Sequence, residues 1–153
     1  MRIGLGFDVH PFGGPGPLVL GGVEIEGTGL RGHSDADVVA HAVADALLGA
    51  AGLPDLGTLF PASDDRYRGV SSMRLLGDVV TRVRSAGWQT GNIDVVIAAE
   101  EPRLGPHVAA MGAALGAVVG GPVSVKAKRG EGLGAIGRAE GIAAWAVALV
   151  EPA

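Results

Sequence analysis

The chain contains no cysteine, and aromatic residues make up only 4% of it. Without cysteine there are no disulfide bonds, no thiolate metal ligands and no cysteine nucleophile, as is typical of proteins in a reducing compartment. Because aromatic side chains are scarce, the 48% of hydrophobic residues must form a core of closely packed Ala, Val, Leu and Ile. The 153 residues suffice for such a core, and we expect one domain over residues 1–153.

Long runs of basic residues are also absent, and the formal net charge is -4. We therefore expect no nucleic-acid partner. The uncharged segment 108–125 has about the minimum length of a membrane span. Gly120, Gly121 and Pro122 interrupt it, however, and its Ala and Gly give too little hydrophobicity for insertion. Since no basic and apolar leader is visible at the start, we expect a cytoplasmic location without membrane association.

Glycine and proline separate segments of strand-like and helical periodicity along the whole chain. We predict a strand at the start, followed over residues 12–30 by a turn, a strand, a second turn and a strand that together form a hairpin. Further strands are predicted at 88–100 and 122–129. Residues 137–151 are compatible with either a helix or a strand.

Three longer helices are predicted between these strands, at residues 35–50, 71–87 and 103–120. Their candidate caps are Ser34 or Asp35 at the start and Gly49 or Gly52 at the end of the first helix, and Ser71 or Ser72 for the second. Residues 54–69 are predicted to form a loop. The alternation of strands and helices predicts an α+β fold, with a mixed β-sheet and helices packed on one of its faces.

Asp8 and His10 are two apart in the first predicted strand, so their side chains lie on the same face of it. His41 lies on the first predicted helix, and Asp37, four residues earlier, is placed to accept a hydrogen bond from its imidazole. Two histidines and one carboxylate leave one tetrahedral position open, which is the ligand pattern of a catalytic zinc site. The alternative is that His10 and His41 are ordinary structural histidines. Because three of the four histidines fall within the first 41 residues, we favour the metal site.

Candidate substrate contacts follow from local chemistry. His33 and Ser34 stand at the amino end of the first predicted helix, where free N–H groups and the helix dipole attract an anion such as phosphate. Asp55 can accept hydrogen bonds from substrate hydroxyls, and Gly57 permits close approach of the backbone. Simple capping is the alternative explanation for Ser34 and for Asp55.

The segment 126–141 combines a glycine-rich backbone with four cations, which suits a diphosphate. The cations are Lys126, Lys128, Arg129 and Arg138. The segment matches neither a Walker loop nor a dinucleotide fingerprint, and a solvated charged loop is the alternative.

Four motifs, in this order along the chain, are similar to those of one enzyme family. They are "GFDVH", "HSDADVVAHAVADALLGAAGLPDLGTLFP", "EEPRLGPH" and "GLGAIGRAEGIA". Together they resemble the 2-C-methyl-D-erythritol 2,4-cyclodiphosphate synthases of the non-mevalonate isoprenoid pathway, over nearly the whole chain. The resemblance implies a bacterial cytoplasmic enzyme that forms a homotrimer around a threefold axis, with three active sites at the subunit interfaces.

The resemblance also implies the reaction and its metals. The substrate is 4-diphosphocytidyl-2-C-methyl-D-erythritol 2-phosphate, whose 2-phosphate attacks the β-phosphorus so that CMP leaves. One zinc ion per subunit is expected on Asp8, His10 and His41. Glu131 matches the position that holds a second divalent ion, Mg²⁺ or Mn²⁺, between the phosphates.

The remaining site residues are those that the resemblance implies, together with Arg129, which departs from the family pattern. We assign catalytic roles to His33 and Arg129. The expected substrate contacts are Ser34, Asp55, Leu56, Gly57 and Phe60, and the expected cytidine pocket comprises Ala99, Pro102, Arg103, Leu104 and Gly105. Arg138 matches a basic residue that can bind an isoprenoid diphosphate in the central cavity of the trimer.

Three positions depart from the family pattern. Arg129 stands where the family typically has a threonine that contacts the phosphates, and we hypothesise that its guanidinium replaces the hydroxyl. Ala62 stands where an aspartate is common, and Ala135 where an aromatic residue is often found near the threefold axis. Two other functions therefore remain open: a zinc phosphoester hydrolase on the same scaffold, and a non-catalytic trimer that binds isoprenoid diphosphate through Arg138.

Overall fold

The computed structural model describes residues 1–153 and contains a five-stranded sheet in the order β2-β1-β5-β3-β4. The strands are β1 (Arg2–Leu20), β2 (Val23–Leu30), β3 (Trp88–Ala98), β4 (Val123–Lys128) and β5 (Gly141–Pro152). The β3–β4 pair is parallel, and the other neighbouring strands are antiparallel. The predicted mixed sheet is thus confirmed. The segment that was compatible with a helix or a strand is β5, the central strand of the sheet.

Strand β1 is continuous where the sequence predicted a strand, a turn and a second strand. It pairs with β5 over residues 2–11 and with β2 over residues 12–20. The glycines and prolines of residues 13–17 coincide with three register shifts in the β1–β2 ladder. They therefore mark bulges at the point where one long strand changes its partner.

The helices are α1 (Val38–Ala51), α2 (Leu56–Leu59), α3 (Ser72–Ser85), α4 (Val108–Val119) and α5 (Gly134–Gly137), with 3₁₀ turns at Asp65–Tyr67 and Gly105–His107. The cap of α1 is neither Ser34 nor Asp35 but Asp37, whose carboxylate accepts hydrogen bonds from the N–H groups of Val39 and Ala40. Gly52 ends α1 in the left-handed conformation at φ 73°. The predicted loop 54–69 contains α2 and the first 3₁₀ turn.

The core lies between the long helices and one face of the sheet. Helix α1 contacts β1 and β5 most closely, and it lies directly on the glycines of β1. A Cβ at Gly6 would be 1.9 Å from the carbonyl oxygen of Ala42, and a Cβ at Gly4 would be 2.0 Å from that of Ala46. Glycine is therefore required at both positions so that the helix can approach the strand.

The opposite face of the sheet is apolar and exposed. We call it the apolar face, and it consists of Ile3, Leu5, Phe7, Val9, Trp145 and Val147. These side chains are 39–71% exposed, and the rings of Phe7 and Trp145 pack with centroids 5.1 Å apart. None of the helices is both long enough and apolar enough to cross a membrane.

Candidate active site

Asp8, His10 and His41 meet in space as the sequence predicted. Asp8 and His10 lie on the same side of β1 as Gly6, which is the side that faces the helix. His41 is on the first turn of α1, next to Ala42, whose carbonyl oxygen packs against Gly6. Asp8 Oδ2 lies 2.9 Å from His10 Nε2 and 2.9 Å from His41 Nδ1. The two imidazole nitrogens are 3.3 Å apart.

This arrangement fits a metal ion. Three ligand atoms bound at 2.0–2.2 Å to one tetrahedral ion lie roughly 3.3–3.6 Å from one another. The separations in the cluster are 2.9–3.3 Å, so a small expansion would admit an ion of that size. One carboxylate and two imidazoles suit zinc among the common metals, and a fourth position remains for substrate.

The charge of the cluster also favours binding of a cation. Burial alone raises the pKa of Asp8, but hydrogen bonds from His10 and His41 outweigh burial and lower this pKa to about 2. Burial likewise lowers the pKa of His10, but the hydrogen bond to Asp8 outweighs it, and the pKa of His10 is raised. Asp8 is therefore an anion at neutral pH and stabilises positive charge beside it.

The predicted contact between Asp37 and the His41 ring is wrong. Asp37 is fully buried, and its carboxylate accepts hydrogen bonds from Gly21 and Gly22 in the β1–β2 turn, at 2.8 Å each, besides capping α1. As the cap, Asp37 lies outside the helix and faces its free N–H groups, so the i, i+4 geometry of a helix interior does not apply. The outer nitrogen of His41 contacts Ser72 and Ser34 instead.

A cavity of about 320 Å³ opens over the cluster. Its lining is Asp8, His10, His33, Ser34, His41, Asp45, Leu56, Gly57, Phe60, Ala62, Tyr67 and Leu75. His33 Nε2 is buried there without a hydrogen-bond partner, so it is available to a ligand. Most of the residues expected around the substrate phosphate and its methylerythritol are thus brought together with the cluster.

Sequence reasoning missed three lining residues, Asp45, Tyr67 and Leu75. Asp45 follows His41 by one helical turn, and this spacing was the signal available for it. Burial raises the pKa of Asp45, although the N–H of Leu56, which donates to its carboxylate at 2.8 Å, opposes the rise. Asp55, which was expected to contact the substrate, caps α2 by accepting from Thr58 and does not line the cavity.

The expected cytidine pocket lies elsewhere on the chain. Its residues follow the end of β3, beside the end of β4, and the N–H of Ala99 donates to the carbonyl of Lys128 at 2.9 Å. Ala99 and Leu104 are buried, Pro102 follows a cis peptide bond, and Arg103 and Gly105 are exposed. None of these residues lines the cavity over the cluster.

The expected phosphate loop is also outside that cavity. The Arg129 guanidinium donates to Glu100 Oε1, from Nε at 3.1 Å, and the N–H of Gly130 donates to Glu100 Oε2 at 3.0 Å. The Arg129 side chain lowers the pKa of Glu100. Glu131 is exposed at φ 53°, and Arg138 pairs with Glu140 at 2.6 Å.

Comparisons with known proteins agree with these observations. A model of the YgbB family matches residues 1–151. The 2-C-methyl-D-erythritol 2,4-cyclodiphosphate synthase of Bordetella petrii is 54% identical, over 97% of this chain and 94% of that protein. A solved structure of a 2C-methyl-D-erythritol-2,4-cyclodiphosphate synthase, in a form bound to CDP, superposes with a TM-score of 0.88 at 36% identity, covering 98% of this chain and 100% of the other.

The chain is also similar to part of larger proteins. The bifunctional enzyme IspD/IspF of Anaeromyxobacter sp. (strain Fw109-5) is 54% identical over 98% of this chain, which spans only 40% of that enzyme. Since the family model and the Bordetella petrii relative cover nearly the whole chain, the resemblance noted in the sequence is confirmed. The chain belongs to the YgbB family, the family of its 2-C-methyl-D-erythritol 2,4-cyclodiphosphate synthase relatives.

Proposed function

We propose that the chain converts 4-diphosphocytidyl-2-C-methyl-D-erythritol 2-phosphate into 2-C-methyl-D-erythritol 2,4-cyclodiphosphate and CMP. An oxygen of the 2-phosphate forms a bond to the β-phosphorus, and the bond from that phosphorus to the oxygen of the α-phosphate breaks. The observation that carries the proposal is the convergence of Asp8, His10 and His41 beneath a cavity that His33, Ser34 and Gly57 also line. The family relatives bear the name of this activity.

The chemical difficulty is charge repulsion between two phosphates, which preorganised cations and hydrogen-bond donors reduce. A zinc ion on Asp8, His10 and His41 would supply Lewis-acid stabilisation of the phosphate oxygens. His33 Nε2, buried and unpartnered, is suited to donate a hydrogen bond to a phosphate oxygen. Leu56, Gly57 and Phe60 shape the wall against which the methylerythritol lies and exclude water from it.

We propose that the complete site forms between subunits of a homotrimer. The metal cavity and the expected cytidine pocket do not share residues within one chain. The apolar face supports self-association, because exposed apolar patches of this kind mark interaction surfaces. In this assembly, Asp55 of one subunit and the cytidine pocket at Ala99 to Gly105 of the next would both contact the nucleotide.

Glu131 and Arg129 are proposed to act on the diphosphate from that neighbouring subunit. Glu131 is exposed and would hold Mg²⁺ or Mn²⁺. Arg129 is more than half exposed, so its guanidinium can exchange Glu100 for a phosphate. A central isoprenoid diphosphate held by Arg138 and a cytoplasmic location remain predictions of the resemblance.

The test is a phosphorus NMR time course with the diphosphocytidyl substrate, Zn²⁺ and Mg²⁺. We expect the cyclic diphosphate and CMP to appear together, and Asp8→Asn to abolish both. Release of inorganic phosphate would indicate the hydrolase instead. Zinc binding without any turnover, combined with binding of an isoprenoid diphosphate, would indicate the non-catalytic trimer.

A further inference from the structure

The His41 imidazole has hydrogen-bonding groups on both of its nitrogens. Nδ1 faces Asp8 and His10, as described above. Nε2 faces away from the cluster and lies 2.9 Å from Ser72 Oγ and 3.1 Å from Ser34 Oγ. The Ser72 hydroxyl in turn contacts Asp35 Oδ1. A carboxylate, a hydroxyl and an imidazole therefore form a chain that ends at the expected metal position.

The hydrogens available in this chain limit the directions that it can take. The Ser72 hydroxyl donates its single hydrogen to Asp35 Oδ1. Ser72 Oγ must then accept, and the donors within reach are His41 Nε2 at 2.9 Å and the Ser34 hydroxyl at 3.0 Å; hydrogen on Nε2 is the arrangement that leaves Nδ1 to a metal. A neutral imidazole carries one N–H, so hydrogen on Nε2 leaves the lone pair of Nδ1 for a metal ion, in place of the hydrogen bond that Nδ1 otherwise donates to Asp8.

We propose that Asp35 and Ser72 are positioning residues that fix the tautomer and orientation of His41 for metal binding. The proposal rests on the metal site of the proposed function. Groups behind a metal ligand act in this way because they hold the ring in place and increase the basicity of its metal-binding nitrogen. Neither residue reaches the ion itself, so their effect passes through His41.

The surroundings of Ser72 support this role over simple helix capping. Ser72 is the first residue of α3 and is 1% exposed, whereas Ser71, the actual cap, makes no side-chain hydrogen bond to the helix. Asp35 Oδ1 also accepts from the backbone N–H of Ser72 at 3.1 Å and of Asp37 at 3.3 Å. One carboxylate thus joins the start of α3 to the segment that precedes α1 and holds the serine against the ring.

The experiment measures zinc affinity without substrate, by competition with a chelator, for the wild type and four variants. Ser72→Ala removes the acceptor, and we expect its affinity to fall about 10- to 100-fold. Asp35→Asn keeps an oxygen acceptor but loses the charge, so a smaller fall is expected. Ser72→Thr retains a hydroxyl and should stay close to wild type. Ser71→Ala is the matched control on the neighbouring serine and should not change zinc affinity.

Nitrogen-15 NMR of the metal-free protein reports the tautomer directly. We expect hydrogen on Nε2 of His41 in the wild type, where Ser72 accepts it, and a shift toward the Nδ1–H form, which donates to Asp8, in Ser72→Ala. A Ser72→Ala variant that keeps both the Nε2–H form and wild-type zinc affinity would overturn the proposal, because Ser34 alone would then suffice. A different outcome would overturn the proposed function alone. In that case the zinc-loaded wild type makes no cyclic product, although the variants still differ in zinc affinity as expected.

Discussion

Substitution of Gly6 by alanine tests how closely the metal site depends on the packing of α1 against β1. The new Cβ would lie 1.9 Å from the Ala42 carbonyl oxygen and 2.6 Å from the Ala46 nitrogen. Because these atoms are helix backbone, no side-chain rotation relieves the overlap. Ordinary contact begins at 3.4 Å, so helix and strand must separate by about 1.5 Å.

That displacement is large compared with the tolerance of a metal site. Distances from ligand to metal are held within about 0.2 Å, and the strand carries Asp8 and His10 while the helix carries His41. We therefore expect Gly6→Ala to lower zinc affinity at least about tenfold. Overpacking should also cost about 1–3 kcal/mol of unfolding free energy, which lowers the melting temperature by roughly 2–12 °C for a chain of this size.

The assay is zinc competition with a chelator, together with thermal unfolding of the metal-free protein. Gly4→Ala is the informative comparison, because its Cβ meets Ala46 and Ala50, farther from His41, and it should destabilise the fold with a smaller loss of zinc affinity. Gly49→Ala is the control, since no atom lies within 4 Å of its Cβ. It should stabilise the fold by about 0.5–1 kcal/mol and leave zinc affinity unchanged. Wild-type zinc affinity in a folded Gly6→Ala variant would refute the reasoning.

Three further predictions concern the site. Zinc affinity should fall as the pH is lowered through the raised pKa of His10, by about tenfold per pH unit for one competing proton. The metal-free fold should behave in the opposite way, because protonated His10 paired with Asp8 stabilises it at acid pH and this stabilisation is lost as the pH rises. Chelator titrations and melting curves from pH 5 to 8 measure the two effects. Val147→Glu on the apolar face should yield monomers in sedimentation that bind zinc but lack activity, and an active monomer would contradict an interfacial site. Arg129→Thr should lower kcat/KM for the diphosphocytidyl substrate, and improved turnover would count against a phosphate contact by Arg129.

The fold was largely predictable because its elements have clear periods. Helix α3 buries Leu75, Leu76, Val79, Val80 and Val83, which follow one another at the spacing of an amphipathic helix. The sequence of β5 was ambiguous because its alanines fit a helix or a strand equally well. The segment is a strand because it pairs with β1 on one side and β3 on the other. The predicted turn after residue 12 was wrong because bulges can absorb glycine and proline within a strand.

The site was predictable where its residues share one element or match the motifs of the family. It was not predictable where side chains from distant segments meet. The shared face of Asp8 and His10 follows from alternation on one strand. Ser72 lies 31 residues from its partner His41, and nothing in the local sequence distinguishes it from the capping serine beside it. Arg129 was predicted from its charge, but its contact with Glu100 depends on the alignment of two strand ends.

Successive side chains of strand β1 point to opposite faces of the sheet, so one strand contributes both to the packing of the fold and to the candidate site. On one side, Gly4 and Gly6 admit the helix, and the same side continues with Asp8 and His10. The other side carries the first four residues of the apolar face, which we propose to be covered by other subunits. A shift of one residue in the β1–β5 register would place Asp8 and His10 on the apolar face and apolar side chains under the helix. The cluster of Asp8, His10 and His41 therefore depends on the same register that forms the core, and substitutions that weaken β1 pairing should reduce stability and metal affinity together.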